Sequence, residues 1–126
     1  MNIKELQKEI HDNATAHGWH EEERTFGEEI ALCHSELSEA LEEYRNCRKV
    51  REIYHPHEDD HYEQIGNTPV LVSGSNKPEG IPIELADVVI RIMDMCERYG
   101  IDLEAAIIEK HKFNKTRSYK HGGKVI

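Results

Sequence analysis

Residues 82–96 read PIELADVVIRIMDMC, a mostly apolar stretch that also carries four charged side chains. At about 100° per residue in a helix, these charges fall within one arc of roughly 80°, and apolar side chains cover nearly all the rest. The four are Glu84, Asp87, Arg91 and Asp94. We expect such a helix to be buried on several sides. Its charged stripe would then be either the only part exposed to solvent or the part that faces a polar cavity. A carboxylate sealed in apolar surroundings costs several kcal/mol unless it gains a cation or a donor.

A second acidic pair occurs in the segment HSELSEALEE, residues 34–43. Its residues Glu36 and Glu39 are three apart, so on a helix their carboxylates can converge on one point. If the two helices face each other, four carboxylates meet: those of Glu36, Glu39, Glu84 and Asp87. Oxygen ligands without Cys or His suit a hard cation, Mg²⁺ or Mn²⁺. Such acidic pairs are also common on solvated helix faces, but the apolar surroundings of Glu84 and Asp87 favour a metal site.

The spacing of apolar residues predicts four helices, at about residues 2–17, 25–48, 82–99 and 103–115. Thr25 and Glu28 form the sequence of a capping box, Gly18 and Gly100 are helix stops, and Asp102 caps the fourth helix. On the second helix one apolar face is predicted, made of Phe26, Ile30, Cys33, Leu37, Ala40, Leu41 and Tyr44.

The rest of the chain is expected to be irregular. Residues 53–81 hold most of the prolines and predict a long loop with a short extended piece at residues 69–72. Residues 117–126 form a basic tail. The 126 residues fit one domain, and the prediction is an all-α, four-helix-type bundle. Because three neighbours from one small chain cover the third helix poorly, we expect self-association into a dimer or tetramer.

Composition narrows the classes of function. Formal net charge is −9, which would repel a phosphate backbone and argues against binding of long nucleic acid. The three cysteines are odd in number and have no C-x-x-C spacing, so we expect reduced thiols. No stretch approaches the ~20 apolar residues that span a bilayer. These features predict a soluble, cytoplasmic protein without a membrane partner.

Three motifs together resemble a known family. ELSEALEEYR lies on the second helix, ELADVVIRIMD on the third, and K-x-x-x-N-K-T-R followed by H-G-G-K at the end of the chain. This pattern, over roughly residues 25–123, resembles the MazG-like nucleotide pyrophosphohydrolases. The resemblance implies an α-helical, oligomeric enzyme that splits a nucleoside triphosphate into monophosphate and pyrophosphate. Its Mg²⁺ would be held by Glu36, Glu39, Glu84 and Asp87.

Two details of the site stay open at this stage. The family's first motif commonly reads E-E-x-x-E, and Ser35 occupies the leading position here. Glu36 acting from the metal shell, His34 or Glu43 could serve as general base, and spacing does not choose among them. Basic and amide side chains near the end of the fourth helix are candidates for phosphate contacts, although they could merely complement the helix dipole. These are Lys112, Asn114, Lys115 and Arg117.

Two other functions are compatible with the sequence. The loop HPHEDDH, residues 55–61, could indicate an HD-type phosphohydrolase, although that class distributes its His and Asp ligands over several helices. Alternatively, the chain could be a non-catalytic oligomerisation module whose acidic stripe pairs with Arg91 or Arg98 of a second copy. The base and sugar of a triphosphate substrate are not indicated by any motif.

Overall fold

The computed structural model describes residues 2–56, 61–72 and 77–118, which form four helices and one β-hairpin. In chain order these are α1 (Ile3–Ala16), α2 (Phe26–Arg45), β1 (His61–Ile65), β2 (Thr68–Val72), α3 (Ile81–Arg98) and α4 (Leu103–Thr116). The largely helical class predicted from the sequence is confirmed. The four-helix bundle and its completion by self-association stay predictions.

Local signals at the helix ends act as the sequence predicts. The Thr25 hydroxyl accepts from the Glu28 backbone N–H at 3.1 Å, and the Glu28 carboxylate accepts from the Thr25 N–H at 3.3 Å, which completes the capping box. Asp102 accepts from the Ala105 N–H at 3.0 Å. The second helix ends at Arg45, earlier than expected, and Cys47 follows in a left-handed conformation with φ of 64°.

The segment predicted as a loop contains an antiparallel hairpin. Strand β1 pairs with β2, and Ile65 lies opposite Thr68 across the two-residue turn Gly66-Asn67. Gly66 has φ of +65°, a conformation that glycine adopts without a steric penalty. The sequence predicts one short extended piece at residues 69–72, whereas the structure has two paired strands. A Gly-Asn turn between two strand-like runs is the signal that identifies the hairpin.

The chain forms two compact units. One contains α1, the part of α3 from Ile90 onward and α4, with α1 and α4 in contact. The other extends from Thr25 to Val89 and contains α2, the hairpin and the first half of α3. The prediction of a single domain stays a prediction. None of the described helices is both long enough and apolar enough to cross a membrane.

The predicted apolar face of α2 is largely uncovered within one chain. Of its seven residues only Cys33 and Ala40 are buried, and the other five are 36–62% exposed. Helix α3 shows the same, since Leu85, Val89 and Ile90 are 43–49% exposed. No described element covers those three side chains within one chain, so the burial of α3 on several sides stays a prediction that depends on self-association.

A close backbone approach fixes the start of α3. Tyr54 and Glu79 exchange two backbone hydrogen bonds, of 2.9 and 2.8 Å. Gly80 follows with φ of +125°, and a Cβ atom added there would lie 2.3 Å from the Glu52 carbonyl oxygen. The Gly80 carbonyl then accepts from the Glu84 N–H at 3.0 Å. A side chain at position 80 would therefore displace the turn that positions Glu84.

We expect Gly80→Ala to lower the free energy of unfolding by at least about 3 kcal/mol, since it combines an unfavourable φ with a backbone clash. Gly100→Ala is the matched control, because Gly100 also has a positive φ (+68°) but no atom lies within 4 Å of its added Cβ. That control should cost about 1 kcal/mol. Urea unfolding followed by far-UV circular dichroism measures both. Equal losses would contradict the close approach.

Candidate functional site

The covered face of α2 carries acids. Residues at spacings of three and four form a stripe that is buried or half-buried: Glu29, Cys33, Glu36, Ala40 and Glu43. Glu29 is only 6% exposed. Leu32 is half-buried on the same side of the helix, whereas Leu37 and Leu41 are exposed, so α2 directs three carboxylates together with smaller apolar contacts toward the rest of its unit. Because an uncompensated buried carboxylate is costly, this arrangement requires donors or a cation.

Three of the four predicted metal ligands converge. One carboxylate oxygen from each of Glu36, Glu39 and Glu84 lies within 4.8 Å of the others. Glu36 and Glu39 come from α2, and Glu84 from the first turn of α3. We call these three side chains the carboxylate cluster. Carboxylate oxygens are the type of ligand that Mg²⁺ or Mn²⁺ prefers in a protein.

Glu84 has a buried carboxylate oxygen and a raised pKa. Its Oε2 atom is buried and has no hydrogen-bond partner among the described residues. Burial raises the pKa of Glu84 to about 7, with further contributions from a hydrogen bond to Glu39 and from the negative charges of Glu39, Asp87 and Glu36. Below about pH 7, therefore, Glu84 keeps a proton, and a cation bound at the cluster would compete with that proton.

The fourth predicted ligand, Asp87, lies one turn after Glu84 on α3 and is half-buried. Its charge contributes to the raised pKa of Glu84, so the two carboxylates are close enough to interact. Asp87 is not among the three side chains whose oxygens converge within 4.8 Å. Its role as a ligand stays a prediction.

The candidates for general base differ in their surroundings. The Tyr54 hydroxyl donates to both carboxylate oxygens of Glu43, at 2.9 and 3.0 Å, and the Arg48 guanidinium lies 3.7 Å from the Tyr54 ring centroid. Burial, followed by the contact with Glu43, raises the pKa of Tyr54 to about 12. The sequence reasoning missed Tyr54. Because Glu43 is engaged in holding Tyr54, it is a poor proton acceptor for a reaction.

Ser35, at the first position of the family's E-E-x-x-E motif, makes a hydrogen bond within its own helix. The Ser35 hydroxyl donates to the Ala31 carbonyl at 3.3 Å. His34 is an exposed residue on the same helix. Of the three candidates for general base, only Glu36 belongs to the carboxylate cluster.

The predicted phosphate-contacting residues lie at the C-terminal end of α4, which belongs to the unit that contains α1. Lys112, Asn114 and Lys115 are exposed on α4, and Arg117 follows the helix as its C-terminal cap. The Arg117 N–H donates to the Asn114 carbonyl at 3.2 Å. Their contact with phosphate stays a prediction. The trailing His121-Gly-Gly-Lys124 lies outside the described residues.

The loop that suggested an HD-type enzyme is described only in part. His55 is exposed, and His61 begins β1 with its Nε2 3.0 Å from the Glu63 carboxylate. Residues 57–60 lie outside the described part of the chain. No described contact joins His55 to the carboxylate cluster.

Comparisons with protein-family models, with curated proteins and with solved structures find no match for this chain. The MazG-like resemblance therefore rests on the three sequence motifs alone.

The raised pKa of Glu84 gives a prediction about stability. Since the folded-state pKa (about 7) exceeds the ordinary value of 4.5, the folded chain keeps a proton that the unfolded chain releases. Metal-free stability should consequently fall as pH rises from about 5 to 7. Glu84→Gln removes this titration, so the variant should be more stable than the parent at about pH 8, on the order of 2 kcal/mol, and similar at about pH 4.5.

Urea unfolding in EDTA at the two pH values tests this difference. Glu42→Gln is the matched control, since Glu42 is an exposed acid of α2 paired only with Arg45, at 3.6 Å, among the described contacts. It should change stability little at either pH. A Glu84→Gln protein less stable than the parent at about pH 8 would contradict a repulsive carboxylate cluster.

Proposed function

We propose that this chain is a metal-dependent nucleotide pyrophosphohydrolase, which cleaves a ribo- or deoxynucleoside triphosphate to the monophosphate and pyrophosphate. The observation that carries the proposal is the carboxylate cluster, in which acids from α2 and α3 converge around a buried, unpartnered Glu84 oxygen. The three-motif resemblance to the MazG-like enzymes supports the choice of reaction, because its acidic motifs supply these residues.

The charge of the cluster favours a cation as its occupant. Negative charges on three carboxylates whose oxygens lie within 4.8 Å of one another repel, and the pKa of Glu84 is raised by burial, by its hydrogen bond to Glu39 and by this repulsion. A divalent cation relieves both effects at once. Since the donors are all oxygens, Mg²⁺ is the expected ion and Mn²⁺ a substitute. Glu36, Glu39 and Glu84 would hold it, with Asp87 as the fourth ligand.

The side chains would then act in binding and proton transfer. When bound, Mg²⁺ offsets the negative charge of the triphosphate and makes the attacking water more acidic. Glu84 would release its proton to solvent on binding the ion. Glu36 is the proposed proton acceptor for the water, because Ser35 supplies no carboxylate and Glu43 is held by Tyr54. Lys112, Asn114, Lys115 and Arg117 remain the proposed phosphate contacts outside the metal shell.

A panel of ribo- and deoxynucleoside triphosphates, assayed for pyrophosphate release with millimolar Mg²⁺, tests the activity. We expect Glu39→Gln and Asp87→Asn to fold and to lose at least ~100-fold in turnover, because each removes an anionic ligand. The matched control is again Glu42→Gln, which should keep the parental rate. Failure of the parent to release pyrophosphate from any triphosphate, or parental turnover by Glu39→Gln, would overturn the proposal.

Self-association is part of the same proposal. The exposed stripe of α2 consists of Phe26, Ile30, Leu37, Leu41 and Tyr44. These residues repeat along the helix at spacings of three, four and seven, so two copies can pack this face against each other around a two-fold axis. A homodimer, or a homotetramer built from it, would cover apolar area that a single chain leaves in water.

We expect the parent to sediment as a dimer or tetramer at micromolar concentration. Leu41→Asp should shift it toward monomer, since it places a charge within the apolar stripe. Val50→Asp is the matched control, because Val50 is 62% exposed, Leu41 is 58% exposed, and Val50 lies outside α2. Analytical ultracentrifugation distinguishes these states. A monomeric parent would remove the proposed interface.

A further inference from the structure

A second group of side chains with metal-ligand chemistry lies in the unit that contains α1. His11 Nδ1 on α1 and His20 Nε2, after the helix, each lie 2.8 Å from Asp94 Oδ1 on α3. The side chains of His11, His20 and Asp94 are 23%, 13% and 13% exposed. None of the three belongs to the carboxylate cluster. We call them the histidine cluster.

We propose that the histidine cluster is a binding site for one Zn²⁺ ion, or a similar first-row divalent cation, that ties the segment after α1 to α3. Two imidazole nitrogens and a carboxylate oxygen are ligands that such cations prefer over Mg²⁺. The site differs in this respect from the all-oxygen carboxylate cluster. It does not rest on the proposed pyrophosphohydrolase activity.

The distances between the ligand atoms of the histidine cluster are close to those around a tetrahedral Zn²⁺ ion. Ligands about 2.0–2.1 Å from a tetrahedral Zn²⁺ are about 3.3 Å apart, so each nitrogen has to withdraw from Asp94 Oδ1 by about half an ångström. The ring centroids of His11 and His20 are 4.7 Å apart and tilted by 44°, so the rings do not block one another by stacking face to face. Small rotations about side-chain bonds produce shifts of this size.

Water can reach the site to complete its coordination. Asp94 also lines a cleft of about 390 Å³ whose other walls include Trp19, Arg91 and Asn13. Three protein ligands and one water form a common arrangement for zinc with an open position.

The contact with Arg98 indicates which tautomer of His20 is present before an ion binds. The Arg98 Nη1 lies 3.3 Å from His20 Nδ1, and since arginine only donates, His20 accepts there and donates from Nε2 to Asp94. Zn²⁺ takes the Nε2 lone pair, so the imidazole proton has to move to Nδ1, where it faces another donor. Arg98 must therefore turn away, which lowers the affinity of the parent. Arg98→Gln offers an amide oxygen to that N–H instead.

Zinc bound per chain, measured by equilibrium dialysis with metal analysis, tests the site. We expect one Zn²⁺ in the parent, at least ~100-fold weaker binding in His11→Gln and His20→Gln, and about tenfold tighter binding in Arg98→Gln. His17→Gln is the matched control. His17 is an exposed histidine near the end of α1, whose Nδ1 contacts the Asn13 carbonyl at 2.8 Å, and its loss should leave binding unchanged.

A measurement on the parent alone guards against variants that fail to fold. In long-range ¹H–¹⁵N spectra, Zn²⁺ should shift the Nδ1 signal of His11 and the Nε2 signal of His20, and thermal unfolding should move to higher temperature. Absence of binding by the parent, or binding that persists in both cluster variants, would overturn the proposal and leave a hydrogen-bonded network. Glu39→Gln should keep the zinc site whatever its effect on triphosphate hydrolysis, so the two proposals can fail separately.

Discussion

Burial of the Glu84 carboxyl beside Glu36 and Glu39 is the constraint on which the unit around α2 depends. A carboxyl in that position either keeps a proton or gains a cation, since a third negative charge there is repelled by its neighbours and poorly solvated. The turn at Gly80, the bridge between Tyr54 and Glu79 and the first hydrogen bond of α3 all fix the backbone at this point. The fold thus holds an electrostatically unfavourable group in place instead of letting it rotate into water. Such sites are enriched in functional residues because binding of a ligand relieves the strain.

Helix α2 shows how far local sequence information extends. Its start was predictable to the residue, because the capping box is a pair of hydrogen bonds between Thr25 and Glu28 that depends on nothing distant. Its orientation was not. The apolar periodicity of Phe26, Leu37 and Leu41 predicts a buried face, whereas within one chain that face is exposed and the acidic face is covered. Periodicity reports that a face will meet a partner, but it does not distinguish a partner in the same chain from one in another copy.

The two clusters illustrate a second limit. The pairs Glu36/Glu39 and Glu84/Asp87 could be recognised because each pair lies within one helical turn and resembles a known motif. The histidine cluster carries no such signal: His11 and Asp94 are 83 residues apart and His20 and Asp94 are 74 apart, so only the tertiary structure brings them together. The hairpin lies between these two cases in how easily the sequence predicts it. Its Gly66-Asn67 turn is a short-range signal, but the prolines and charges of the surrounding segment obscured it.

Helix α3 combines these observations. From the sequence, Glu84, Asp87 and Asp94 form one acidic stripe and invite one explanation. In the structure Glu84 lies beside carboxylates, whereas Asp94 contacts imidazoles. The two ends of the stripe therefore offer different sets of ligands. Carboxylates gathered with carboxylates repel one another and select a hard cation, whereas a carboxylate between two imidazoles is already partly compensated by N–H donors and accepts a softer ion only if those donors are displaced. The identity of the partner side chains, rather than the spacing of the acids on α3, therefore determines which cation each end of the stripe can bind.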